Sequence, residues 1–170
     1  MAAAPRSEFR GRGWVLSLQR QRTTAEPGLS SNLGAAALTV RDRRGPGVRL
    51  AARLPPGERL WLSVIARADI PVSARLADGR DLADDRLDDS AGATAIHRLD
   101  RLADAGAEGR ADAEAPIPCG DDPDAESLIV EIGGRGLTIA CVRAEAFDRL
   151  FGAPAETKGE PAVYEGWLLP

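Results

Sequence analysis

Two clusters of carboxylates are the first candidates for chemistry in this 170-residue chain. Asp81, Asp84, Asp85, Asp88 and Asp89 crowd one stretch, and Asp121, Asp122, Asp124 and Glu126 crowd another. Calcium takes roughly six to eight oxygens from loops of this kind. Asp84, Asp85, Asp88, Asp121, Asp122 and Asp124 are therefore the candidate calcium ligands. Neither loop has the EF-hand spacing, with its glycine and its terminal glutamate. Paired carboxylates also serve glycoside hydrolysis. A sugar cleft wants aromatic walls, however, and aromatics make up only 4% of the chain. Trp61 would stack on a sugar ring if it projected outward, but in a central strand it is expected to be buried.

His97 is the only histidine, so any Ser-His-Asp or Cys-His arrangement would have to use it. It lies between Ile96 and Arg98 with no nucleophile signature nearby, and a structural role is expected. Cys119 and Cys141 are the only cysteines. Three Cys and His residues in all, in no zinc-binding pattern, argue against zinc. The cysteines form no CxxC pair. Cys141 falls at an inward strand position, where a free thiol packs as a small hydrophobe. Cys119 follows Pro-Ile-Pro and reads as a loop residue. A disulfide between the two stays open and would require an oxidising compartment. The glycines of Gly133-Gly134-Arg135-Gly136 precede a strand-like LTIACV and no helix, so they lack the helix N-terminus that would hold a phosphate. No cofactor and no catalytic activity are expected.

Composition bounds the partners. The net charge is −4. Residues 1–75 hold 13 arginines against 5 acids, a balance of +8, while residues 76–170 hold 9 basic residues against 21 acids, a balance of −12. The basic excess near the start (Arg6, Arg10, Arg12) reads as a flexible arm over residues 1–12. Binding of single strands normally takes a basic groove with stacking aromatics, and the overall acidity speaks against nucleic acid. Lys158 is the only lysine beside 21 arginines, which reads as codon bias and not as selection for phosphate recognition. No stretch approaches the ~18 apolar residues of a membrane span, and no signal peptide is apparent at the N-terminus. A cytoplasmic protein is the expectation, with an exported domain lacking its leader as the alternative.

The elements that must position these residues are mostly strands. Leu128, Val130 and Ile132 alternate with Ile129 and Glu131; Leu137, Ile139 and Cys141 alternate with Thr138, Ala140 and Val142. Period-2 alternation on both sides of the glycine loop 133–136 predicts a β-hairpin. Ala36 to Val40 and Val48 to Leu54 predict a second hairpin. Arg59 to Arg67 (RLWLSVIAR) is apolar on both faces and predicts a central strand. Trp14 to Leu18 and Ile70 to Leu76 predict two more. Residues 96–102 fit a short strand or a helical turn. Phe147, Leu150 and Phe151 share a face at i, i+3, i+4, and Gly152 caps, so a short helix is expected over 143–151. Residues 103–126 carry almost no large apolar side chains and read as an acidic loop insertion.

Residues 48–89 resemble part of the bacterial pre-peptidase C-terminal type of β-sandwich. The matching stretches are VRLAARLPPGERLWLSV, a strand, a turn and a strand, followed by VSARLADGRDLADDRLDD, a strand, a D-G turn and an acidic loop. The resemblance implies a small appended sandwich, sometimes implicated in binding. It covers about a quarter of the chain, lacks the family's closing Gly-Thr-Tyr strand, and transfers no functional residue.

The expected fold is a mainly β antiparallel sandwich, jelly-roll-like or a partly open barrel, with one short C-terminal helix. The expected organisation is an arm at 1–12, a domain at 13–152 and a tail at 153–170 that docks on the domain or a partner. The expected function is that of a non-catalytic accessory or assembly subunit, meeting a protein partner or its own copies. Tyr164, Trp167, Leu168, Arg6, Arg10 and Arg12 are the expected contact residues. A glycan- or calcium-binding module using loops 81–89 and 121–126 is the alternative.

Overall fold

The computed structural model of the protein describes residues 5–22, 32–42, 47–100 and 117–153. It is a sandwich of two six-stranded sheets. The first sheet holds β1 (Phe9–Gly11), β2 (Trp14–Arg22), β3 (Asn32–Ala35), β6 (Glu58–Arg67), β8 (Leu87–Asp88) and β9 (Thr94–Leu99). The second holds β4 (Leu38–Asp42), β5 (Val48–Leu54), β7 (Val72–Leu76), β10 (Cys119–Gly120), β11 (Leu128–Ile132) and β12 (Arg135–Arg143). Helix α1 (Ala144–Phe151) follows β12 directly.

The apolar alternation explains which faces meet. Leu16 and Leu18 of β2, Leu62 and Val64 of β6, and Leu99 of β9 share one core with Leu50 of β5, Val130 of β11 and Ile139 of β12. Burying one face of each sheet against the other is the stable solution for two amphipathic sheets. The long apolar run reads out as β6, the strand between β2 and β9, as its two-sided pattern implies.

Both predicted hairpins form, and the first has a tighter turn than the sequence suggests. Ile132 pairs with Arg135, so Gly133 and Gly134 alone make the turn, at φ of 58° and 81°. Two consecutive positive φ values match the type I′ geometry, whose twist suits a hairpin. Arg135 and Gly136 therefore belong to β12. The second hairpin pairs β4 with β5. Between these hairpins β5 and β12 run parallel, from Leu137↔Val48 to Arg143↔Leu54. This is the one long parallel pairing in the described ladder, and it makes β12 the centre of its sheet.

Of the two readings open for residues 96–102, the strand forms, over Thr94–Leu99. Two local expectations are revised. Cys119 lies in β10, beside β12, and not in an irregular loop. The segment read as a mobile arm is tied down from Arg6 onward. Arg6 exchanges two backbone hydrogen bonds with Leu38, at 2.7 and 2.6 Å, and Phe9–Gly11 pairs with Trp14–Leu16. The anchor is aromatic, because the rings of Phe9 and Trp14 lie 5.9 Å apart, and Trp14 is buried.

Gly11 is required at that anchor, since a Cβ there would overlap the Trp14 indole. Gly11→Ala is expected to cost about 1–3 kcal/mol, as overpacking does, and to alter tryptophan emission. Urea unfolding followed by fluorescence checks this; an unchanged midpoint and spectrum would refute it.

Candidate functional site

The acids of the two loops are engaged by other groups of the chain itself. Asp84 Oδ2 lies 2.6 Å from His97 Nδ1, and Asp84 Oδ1 accepts the Arg98 backbone N–H at 3.2 Å. Asp85 pairs with Arg98 at 2.9 Å, and Asp88 pairs with Arg86 at 2.8 Å. In the second loop Asp121 faces Arg143 at 3.4 Å, Asp124 faces Arg41 at 3.1 Å, and Glu126 faces Arg49 at 3.6 Å. Asp122 accepts the backbone N–H of Asp124 at 2.9 Å. Among the described residues no three of His, Cys, Asp and Glu gather where a metal ion would sit. The six candidate ligands are thus not one site. Asp85, Asp121 and Asp124 face arginines of other elements, Asp88 pairs with the neighbouring Arg86, Asp84 meets His97, and Asp122 bonds within its own turn.

His97 is buried and lies in register with Val64, so it projects toward the core side of the first sheet. Among the described residues its Nε2 has no hydrogen-bond partner. Asp84 engages the ring through Nδ1.

The outer face of the first sheet carries a polar row that the sequence reading missed. The register places Ser17 beside Ser63, Gln19 beside Trp61, and Gln21 beside Arg59. All six are buried, Trp61 to 1% exposure. A sugar platform at Trp61 is therefore ruled out for this conformation, although the residue does sit on the outer face. Gln19 Nε2 donates to Ser17 Oγ at 2.7 Å. Arg59 donates from Nη2 to Asp100 Oδ2 at 2.7 Å and to the Asp100 carbonyl at 3.0 Å, with both side chains about 5–6% exposed. Asp100 adopts φ of 64°, an uncommon conformation for a residue other than glycine, at the end of β9. A signal was present in the sequence, since an arginine in a strand apolar on both faces needs a buried counter-charge.

The outer face of the second sheet is covered by α1. Ala146 and Phe147 pack on Ala51, Ala140 and Val142, with Ala37 and Phe151 at the margin. Arg53 grips Asp148 through two bonds of 2.8 and 2.9 Å, and the Arg41 guanidinium lies 5.1 Å from the Phe151 ring centre. Gly152 ends the helix at φ of 84°, its N–H bonding the Asp148 carbonyl. The expected shared face of Phe147, Leu150 and Phe151 divides here: Phe147 is fully buried, whereas Leu150 is 47% exposed. The buried stripe is built instead from Ala144, Ala146 and Phe147, with Phe151 half-buried.

The Arg53 hydrogen bonds hold the Asp148 carboxyl below its ordinary value, and Asp148 in turn raises Arg53. A depressed carboxylate contributes stability that is present above its unfolded value and is lost as pH falls through the folded one. α1 docking is therefore expected to weaken below about pH 4. The loss should stay near or below ~1 kcal/mol, since the pair is partly exposed. Acid titration of the wild type and of Arg53→Gln checks this: the pH dependence of the mutant should be flatter between pH 5 and 2.

Of the expected contact residues, Arg6 is tied to Leu38, Arg10 donates to Glu8 at 2.7 Å, and Arg12 is exposed in the turn between β1 and β2. Tyr164, Trp167 and Leu168 lie outside the described residues. No helix among the described residues is long and apolar enough to cross a membrane. Compared with known proteins, the chain matches no family model, no curated protein and no solved structure.

Proposed function

We propose that this chain is a non-catalytic β-sandwich that works as an accessory or assembly subunit, through contacts made by its C-terminal elements. The observation that carries the reading is Leu150. A large apolar side chain stands 47% exposed on α1, and farther along the sequence the C-terminal residues include Tyr164, Trp167 and Leu168. Leu87, on the edge strand β8, is the other large apolar side chain with substantial exposure among the described residues, at 37%. A large apolar side chain left exposed on a folded domain is a group that a protein contact can cover. The arginine partners of loops 81–89 and 121–126 weigh the same way, because a calcium site there would have to displace them. The likeness of residues 48–89 to the pre-peptidase C-terminal type belongs to this reading as well, since appended sandwiches of that type are sometimes implicated in binding.

Light scattering coupled to gel filtration tests the proposal. The full chain should run above its monomer mass, or hold a partner at fixed stoichiometry. A chain ending at Glu160 should lose that association while keeping its melting temperature. Equal association of the two chains would remove the tail from the contact.

A further inference from the structure

Cys119 and Cys141 are register partners across the β10·β12 pair. We infer that Cys119 and Cys141 are a thiol–disulfide site, which a small-molecule disulfide oxidises to a cross-strand bridge pinning β10 to β12. Paired strands lie about 4.8 Å apart, inside the Cα separation of roughly 4.4–6.8 Å that a disulfide spans. Both thiols are free, and both pack on the core side: Cys141 within the core cluster and Cys119 at its border. β10 is only two residues long, so the small approach a bridge requires does not have to move a long strand. Next to it Ser127 Oγ, just before the first residue of β11, accepts the Cys141 N–H at 3.2 Å.

The environment orders the steps. Burial raises both thiols, Cys141 the more strongly; Arg143 counters this at Cys119, and Asp121 adds to it. Cys119, half-buried, is the accessible nucleophile. Its thiolate attacks one sulfur of the small disulfide, the S–S bond breaks, and the first thiol leaves with a proton. Cys141 then loses its proton and attacks Cys119 Sγ, forming the bridge and releasing the second thiol. Two cysteine thiols are oxidised by two electrons, and one disulfide is reduced to two thiols. Thiolate is scarce in both residues at neutral pH, so the exchange is slow.

The bridge would also fix the start of the turn 121–126, whose acids reach Arg143, Arg41 and Arg49. Its redox state would therefore set how firmly that turn holds to the second sheet.

The test is incubation of the native full chain with oxidised glutathione at mildly alkaline pH. Both free thiols should disappear, no glutathione should remain attached, and a peptide map should show one intrachain 119–141 bridge. The melting temperature should rise by roughly 5–10 °C and return when dithiothreitol is added. Cys141→Ser should stop at the mixed disulfide on Cys119, and Cys119→Ser should leave the buried Cys141 thiol unmodified over the same time. Persistence of both thiols at equilibrium would overturn the inference. So would a stable glutathione adduct on the unsubstituted chain, or a bridge between two chains.

Discussion

Arg59→Met is expected to destabilise the fold by about 3–5 kcal/mol, because it leaves Asp100 charged and buried without its main partner. The Arg59–Asp100 pair is the most deeply buried salt bridge in the described structure, with bonds to both the carboxylate and the carbonyl. Arg80 stands 3.9 Å from the other Asp100 oxygen. The double substitution Arg59→Met with Asp100→Leu should recover part of the loss, since removing both charges also removes the cost of desolvating them. The positive φ of Asp100 limits that recovery, as leucine tolerates it less well. Equilibrium urea unfolding of the four members of this cycle measures the coupling. A single mutant within about 1 kcal/mol of wild type would mean that the pair is solvated in solution.

Phe147→Ala is expected to cost a similar amount, about 3–5 kcal/mol, as fully buried aromatic truncations do. Phe147 is the centre of the α1 contact with Ala51, Ala140 and Val142, and an eight-residue helix has little stability of its own. Loss of this contact should release α1 and expose the outer face of the second sheet. The melting temperature should fall by roughly 10 °C for a chain of this size. Circular dichroism should lose helical signal before the strands melt. A single cooperative transition at the wild-type temperature would show that α1 is held by other contacts.

The particular residues show what the sequence could and could not express. Alternation at Leu128, Val130 and Ile132 and at Leu137, Ile139 and Cys141 foretold the hairpin, because period 2 records which face is buried. The Val48–Leu54 alternation foretold β5 for the same reason. Neither pattern says which strand lies alongside, so the parallel union of β5 with β12, about 90 positions apart, was not readable. The same limit hid the partners of the acids. Asp124 and Arg41 are 83 positions apart, and Arg53 and Asp148 are 95 apart. Charge runs that look like ligand sets become surface ion pairs once the sheet brings arginines beside them. Leu150 misled for a finer reason. Spacing put it on the Phe147 stripe, but alanines 144 and 146 let the helix seat on its narrow side, leaving Leu150 outward. In the N-terminal segment, Pro, Gly and Arg suggested an arm, while the strand pairing of Phe9–Gly11 and the tilted contact of Phe9 with Trp14 tie it to the sheet.

The exposed position of Leu150 also provides the sharpest test of the assembly reading, because changing it should not disturb the fold. Sedimentation of the full chain and of Leu150→Arg over a range of concentrations, with their melting temperatures, is the measurement. The account predicts equal melting temperatures, together with loss of self-association or of stoichiometric partner binding in the mutant alone. Association unchanged by Leu150→Arg would contradict the claim that this helix face makes the contact.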